Sequence, residues 1–148
     1  MGRLTGIARR DKKRAPMETL DAASVTRLAG VQNDFRGKPG KRQVTVMSQR
    51  AWRAACDELK LELPWTTRRA NLLVDDIDLP TCAGGVLHIG SVRLVINGET
   101  DPCSRMDEYS DGLKAALTPD WRGGVLCTVL EEGTIEIGDT VTLHGRPD

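Results

Sequence analysis

At 148 residues the chain is long enough for one domain with its own hydrophobic core and too short for two, so we expect a single domain over residues 1–148. Apolar residues make up 39% and charged residues 28% of the sequence, a composition that excludes a disordered or a fibrous chain. Aromatic residues make up only 3%, which leaves no platform for stacking bases and argues against nucleic acid as a partner.

The net charge of zero hides an asymmetry between the two ends of the chain. Residues 1–53 contain 13 Lys and Arg against 4 Asp and Glu, a balance of +9; residues 54–148 contain 8 against 17, a balance of −9. Two explanations stay open. The two parts pack against each other, or the basic part lines a site for an anion.

Neither a membrane span nor a secretion signal is visible in the sequence. No run approaches the roughly 18 to 20 apolar residues that a membrane span needs. The first residues also lack the apolar stretch of a signal peptide. We therefore expect a cytoplasmic protein with no membrane partner.

In chain order, the first charged feature is the basic run Arg9-Arg10-Asp11-Lys12-Lys13-Arg14, which we interpret as a solvated loop between strands. Residues 30–42 are rich in turn-forming residues and strongly cationic, so they are predicted to form a loop. After residue 42 apolar and polar residues alternate, with Val44 and Val46 on one face, which is typical of a half-buried strand.

One amphipathic helix is predicted at about residues 49–61, with Ser48 as its N-cap. The positions i, i+3, i+4 and i+7 of this stretch are apolar, so one stripe faces the core. Cys56 belongs to this stripe and is predicted to be a small buried hydrophobic residue. The members of the stripe are Trp52, Ala55, Cys56 and Leu59.

Six short β-prone runs follow residue 64, and Gly-containing connections typical of antiparallel hairpins separate several of them. A second short helix is predicted at about residues 112–117. Many short strands with one clear helix favour a mainly β domain built as a barrel or a compact sheet. Cys127 falls at strand spacing and is predicted to lie in the core. The runs span residues 71–74, 86–89, 92–96, 125–130, 134–137 and 140–143.

The four cysteines, Cys56, Cys82, Cys103 and Cys127, contain no C-x-x-C pair, and the chain has only two histidines, so we expect no zinc. In a reducing compartment all four are free thiols. Two of them, Cys82 and Cys103, lie in loop-like surroundings, and the sequence leaves the role of Cys82 open.

Cys103 is the best placed of these thiols for chemistry. Pro102 fixes its own φ and stiffens the loop before Cys103. Arg105 carries a positive charge that favours the thiolate, the form that attacks sulfur or ligates a metal. The negative charges of Asp101 and Asp107 oppose this effect and favour the protonated thiol of Cys103.

Five segments in the same order resemble the MOSC (molybdenum cofactor sulfurase C-terminal) family along nearly the whole chain. The resemblance implies a MOSC-type β-barrel and a link to the molybdenum cofactor (molybdopterin), bound transiently. It also implies a functional cysteine, which in this sequence is Cys103. The segments are Gly30-Val31-x-x-Asp34-x-Arg36-Gly37, Lys41-Arg42-Gln43-Val44-Thr45, Arg68-Arg69-x-Asn71-Leu72, Asp101-Pro102-Cys103-x-Arg105-Met106 and Arg122-Gly123-Gly124-Val125.

The cofactor that the resemblance implies is an anion with a phosphate group, which Arg and Lys side chains bind through charge-assisted hydrogen bonds. Each of these cations has an alternative role in pairing with the acidic part of the chain. Asn71 is assigned to the site region too, although a role in tying loop backbone is the better explanation for it. The cationic candidates are Arg36, Lys41, Arg42, Arg69 and Arg105.

Three functions remain open at this point. In the first, Cys103 carries sulfane sulfur as a persulfide from a cysteine desulfurase to a molybdenum cofactor or molybdoenzyme. In the second, Cys103 ligates molybdenum in a reductase of N-hydroxylated compounds that is served by an electron-donor protein. In the third, the domain binds an anion or a protein without catalysis. The chain has no desulfurase domain, so we expect no pyridoxal phosphate.

Overall fold

The computed structural model describes residues 2–12, 15–79, 83–100, 102 and 104–145. Within these residues the chain forms mainly β structure, as predicted, together with three helices. The strands are β1 (Gly2–Arg9), β2 (Glu18–Thr19), β3 (Ala22–Thr26), β4 (Gly30–Val31), β5 (Val44–Ser48), β6 (Leu72–Asp75), β7 (Val86–Ile89), β8 (Val92–Glu99), β9 (Val125–Glu131), β10 (Gly133–Glu136) and β11 (Thr140–His144). The helices are α1 (Gln49–Glu58), α2 (Met106–Tyr109) and α3 (Leu113–Leu117).

Seven strands form a closed barrel in the order β11-β7-β8-β9-β5-β6-β1, and pairing of β1 with β11 closes it. Closure removes the unpaired strand edges that an open sheet would expose. The β5–β6 pair is parallel, and the other neighbours in the barrel are antiparallel. A parallel pair needs a long crossover, which α1 and the 3-10 helix Trp65–Arg68 provide.

The inside of the barrel is filled by aliphatic side chains, because aromatic residues are scarce. On β5, Val44 and Val46 are fully buried, while Thr45 between them is half-buried, so the predicted alternation is confirmed. Cys127 is fully buried in the same core, as predicted. A smaller sheet in the order β10-β3-β4 lies beside the barrel.

Helix α1 begins where predicted, and the Ser48 hydroxyl accepts a hydrogen bond from the backbone N–H of Ala51 at 3.2 Å. The predicted stripe is confirmed, since Trp52, Ala55 and Cys56 are buried in a second apolar cluster that also includes residues of α3. The helix ends at Glu58 rather than at about residue 61. The reason is Lys60, whose φ of 56° cannot continue a right-handed helix.

Helix α3 agrees with the predicted second short helix, whereas α2, β1 and β3 have no counterpart in the prediction. Strand β1 pairs with β6 with a shift of register between Leu4 and Gly6. This irregularity interrupts the two-residue alternation by which a strand is found in a sequence. In the described part of the chain, no helix has the length and apolar character to cross a membrane.

Candidate functional site

A cavity of about 220 Å³ lies at the end of the barrel where β1 and β8 stop and β6 and β9 start. Its walls come from five parts of the chain that are far apart in sequence. The lining residues include Arg10 after β1, three residues before β5 (Asp34, Arg36 and Arg42), residues 68–71 before β6, Thr100 after β8 and Gly123 before β9.

Six arginines dominate the lining of this cavity, which we call the arginine cavity. Among the described residues that line it, Asp34 is the one carboxylate. Three of the arginines belong to residues 1–53 and three to residues 54–148, so both parts of the chain contribute cations to one space. The six are Arg10, Arg36, Arg42, Arg68, Arg69 and Arg105.

Arg10 is the most deeply buried of these arginines, with only 7% of its surface exposed. Its guanidinium lies 5.8 Å from the centre of the Phe35 ring. Burial lowers the pKa of Arg10, and the nearby charges of Arg69 and Arg36 lower this pKa further, while Asp34 opposes them. The interpretation of residues 9–14 as a solvated loop is therefore wrong for Arg10, which the loop around Phe35 covers.

Three buried polar atoms in the arginine cavity have no hydrogen-bond partner. They are Arg10 Nη1, Arg69 Nη1 and Thr100 Oγ1, and they are all the buried side-chain nitrogen and oxygen atoms of this kind among the described residues. Buried polar groups in folded proteins are almost always paired, so each exception needs an explanation. Their concentration in one cavity indicates a place that is built to receive a polar ligand.

Other polar residues of the cavity hold its walls together. Arg68 is buried and donates from Nη2 to the Thr100 carbonyl at 2.7 Å and from Nε to the Gly123 carbonyl at 3.2 Å. Asn71 donates from Nδ2 to the Ala8 carbonyl at 3.2 Å, and its Oδ1 accepts from the Thr45 N–H at 3.1 Å. Asn71 therefore ties the end of β1 to β5, which brings Arg10 towards Arg69.

The remaining cationic candidates are exposed, except Arg69, which is half-buried. Arg36, Arg42 and Arg105 are exposed and line it. Arg69 has a left-handed backbone, with φ of 64°, and donates from Nη2 to the Tyr109 hydroxyl at 3.3 Å. Lys41 is exposed, does not line the cavity and offers its carbonyl to Asn97 Nδ2 at 3.1 Å.

Comparison with known families assigns the chain to a family. A family model described as the MOSC domain matches residues 27–142. The chain belongs to the MOSC domain family. This family is associated with the molybdenum cofactor, and the predicted MOSC-type barrel is confirmed. No curated protein sequence matches this MOSC domain.

Solved structures share the fold of this MOSC domain at low sequence identity. YuaD from Bacillus subtilis has a TM-score of 0.81 and 20% identity, and the match covers 99% of this chain and 98% of YuaD. YiiM from Geobacillus stearothermophilus has a TM-score of 0.77 and 14% identity, with 97% and 75% covered. YiiM from Escherichia coli has a TM-score of 0.71 and 14% identity, with 99% and 71% covered. At such identities the likeness concerns the fold alone.

Cys103 and Cys82 lie outside the described residues. Thr100 and Arg105, which precede and follow Cys103 in the sequence, both line the arginine cavity, whereas the adjacent described residues Pro102 and Ser104 do not. Cys103 is three residues from Thr100 and two from Arg105. The described part of this MOSC domain contains no group of three or more His, Cys, Asp or Glu side chains that would suit a metal ion.

The two described cysteines are expected to be poor nucleophiles. Burial raises the pKa of the Cys127 thiol, and burial together with Asp57 raises the pKa of Cys56. We predict that iodoacetamide at mildly alkaline pH modifies both in the native protein at least about tenfold more slowly than in urea. Peptide mass spectrometry measures both rates. Equal rates for Cys127 in native and unfolded protein would contradict its place in the core.

The lining of the arginine cavity fits the anionic part of a molybdenum cofactor. Guanidinium groups bind phosphate through two parallel hydrogen bonds, and two of the unpartnered atoms are guanidinium nitrogens. Arg10, Arg68 and Thr100 were not among the residues predicted for the site. Arg68 could have been found because it is adjacent to the predicted Arg69. No local sequence pattern distinguishes Arg10 or Thr100.

Proposed function

We propose that this MOSC domain is a sulfur carrier linked to the molybdenum cofactor, with Cys103 as the residue that accepts sulfane sulfur. The observation that carries the proposal is the arginine cavity, whose lining includes Thr100 and Arg105 on the two sides of Cys103. A cysteine in the segment between these two residues would combine sulfur chemistry with a place for an anionic cofactor. The proposal assumes a reducing, cytoplasmic setting in which the thiol stays free.

The cavity residues have distinct parts in this proposal. Arg10 and Arg69 would hold the phosphate of the cofactor, because each has an unpartnered guanidinium nitrogen. Arg42 and Arg105, which are exposed, add positive charge that attracts the anion and favours a thiolate nearby. When bound, the cofactor supplies a metal-sulfur centre that can receive sulfur.

The loading step uses ordinary thiol–persulfide exchange. The Cys103 thiolate attacks the outer sulfur of a persulfide on a cysteine desulfurase. The sulfur–sulfur bond of the donor breaks, its cysteine leaves as a thiolate, and a new sulfur–sulfur bond forms on Cys103. No oxidant or reductant is consumed in this step, because the sulfane sulfur only changes its partner.

The proposal predicts complete loss of loading when Cys103 is replaced. Incubation with a cysteine desulfurase and cysteine should add one sulfur atom to the wild type and none to Cys103→Ser, as measured by mass spectrometry of the intact chain. Cys82→Ser is the matched control and should load like the wild type, since that cysteine has no part in the proposal. An equal adduct on Cys103→Ser would refute the assignment.

The same cavity also favours a second candidate, a molybdenum-dependent reductase in which Cys103 ligates the metal. A thiolate is a soft donor suited to this role. Protein isolated from cells that make the cofactor should then contain nearly stoichiometric molybdenum and lose it on Cys103→Ala. Sulfane sulfur without molybdenum in the same sample supports the carrier; molybdenum without sulfane sulfur supports the reductase.

A third candidate, a binding domain without catalysis, gives a different pattern. Charge reversal at Lys41 and Arg42 would abolish its binding of an anion or a partner protein, while Cys103→Ser would be silent. Loss of the cellular phenotype on Cys103→Ser alone would exclude this candidate.

A further inference from the structure

We propose that His88 and His144 form a proton-sensitive latch on the closure of the barrel, which holds β11 against β7 near neutral pH and loosens β11 in acid. Neither histidine lines the arginine cavity. The latch therefore goes beyond the proposed function and needs neither a cofactor nor Cys103.

The first support is the contact between the two side chains. The chain has only two histidines, and the fold stacks one against the other. The centres of the two imidazole rings are 3.7 Å apart, and the ring planes make an angle of 24°. Stacking of this kind stabilises two neutral aromatic rings. Two protonated rings at the same distance would repel each other. His88 is half-buried and His144 is exposed, so protons from the solvent reach the pair.

The second support is the set of charges on the neighbouring strands. Arg93 on β8 is the cross-strand partner of His88. Burial lowers the pKa of His88, and the charges of Arg93 and His144 lower this pKa further. Glu131 on β9 raises it, but this carboxylate is shared with Arg93, whose Nε lies 3.7 Å from Glu131 Oε2. The surroundings of the pair therefore oppose its protonation.

The position of the pair gives protonation a structural consequence. Strand β11 closes the barrel through two residue pairs with β1, which involve Thr140 and Val141. Beyond Val141 the described residues of β11 pair with β7 alone. His144 belongs to this part of β11, and His88 lies opposite Thr142 on β7. Repulsion between the two rings therefore pushes the end of β11 away from β7.

The direction of the pH effect follows from the pKa of His88. Because this pKa is lower in the folded protein than in the unfolded chain, the folded protein takes up the proton less readily. Pairing of β11 with β7 is therefore strongest above about pH 6.5, the ordinary pKa of histidine, and weakens as the pH falls below that value.

The first test is amide hydrogen exchange of residues 142–144 at about pH 7.5 and about pH 5, on either side of the histidine titration range, corrected for the intrinsic exchange rates. Protection of these amides in the wild type should fall about threefold to tenfold at the lower pH. Protection of Val46 should stay constant, because its strand β5 pairs with β6 and β9. Equal protection of residues 142–144 at the two pH values would overturn the latch.

Two variants separate the proton from the stacked ring. His144→Phe keeps an aromatic ring against His88 but cannot bind a proton, so protection of β11 should change with pH by less than about twofold. His144→Gln removes both the ring and the proton, so protection should be weaker than in the wild type at neutral pH, without the further loss in acid. A loss in His144→Phe as large as that in the wild type would overturn the latch.

NMR titration of the imidazole protons measures the proton affinity of each histidine. His88 should titrate at a lower pH than histidine in an unfolded peptide. Arg93→Gln should move this midpoint upwards, because Arg93 carries the charge that lowers the pKa of His88 most. Arg50→Gln is the matched control and should leave the midpoint unchanged, because Arg50 pairs with Asp78 and does not line the groove that contains the histidines. A midpoint of His88 that equals the peptide value, or that is insensitive to Arg93→Gln, would overturn the electrostatic basis of the latch.

Discussion

Replacement of Gln43 by leucine should lower the free energy of unfolding by about 3 to 5 kcal/mol, because it removes the side-chain partner of three backbone groups, two of them in buried hydrogen bonds. Gln43 is 1% exposed. Its Nε2 donates to the Arg27 carbonyl at 2.6 Å and to the Gly37 carbonyl at 3.1 Å, and its Oε1 accepts from the Val129 N–H at 2.9 Å. Leucine has a similar volume, so the change tests the hydrogen bonds rather than a cavity.

Urea denaturation of Gln43→Leu and the wild type measures this loss. Gln32→Leu is the matched control; Gln32 is exposed, and its replacement should change stability by less than about 0.5 kcal/mol. A loss below about 1 kcal/mol for Gln43→Leu would mean that the three backbone groups find other partners.

Most strands of the barrel could be predicted because aliphatic residues alternate or cluster in them. The predicted run at residues 86–89 coincides with β7. Strand β9 is one residue longer than the predicted run at 125–130. Strand β3 was missed because Ala22, Ala23 and Ser24 have no bulky β-branched pattern. Its apolar residues become core only when β10 pairs with it, which is a long-range event.

Part of the candidate site could be predicted from the sequence, namely the cations in loop segments that resemble the MOSC family. Arg36, Arg42 and Arg69, which belong to such loops, line one cavity in the structure. Arg10 could not be found in this way, because a cation in a basic run is normally solvated. Its guanidinium lies over the ring of Phe35, which is 25 positions away in the sequence, and such a long-range contact forms only in the folded chain.

Replacement of Gly124 by alanine should cost about 3 to 5 kcal/mol of unfolding free energy, since it combines a strained backbone with a steric clash. Gly124 has φ of +104°, and a Cβ there would lie 2.4 Å from the Val46 carbonyl oxygen. The clash cannot relax cheaply, because the contact is with the backbone of a central barrel strand. Gly124 also accepts the Thr100 N–H at 2.9 Å, so a shift moves the wall of the arginine cavity.

Gly138 offers a matched control for this effect. Its φ is +96°, yet a Cβ would meet nothing within 4 Å, so Gly138→Ala should cost only about 1 to 2 kcal/mol of backbone strain. The difference between the two variants in urea denaturation isolates the contact with Val46. Equal stability losses would show that β5 yields to the added methyl group.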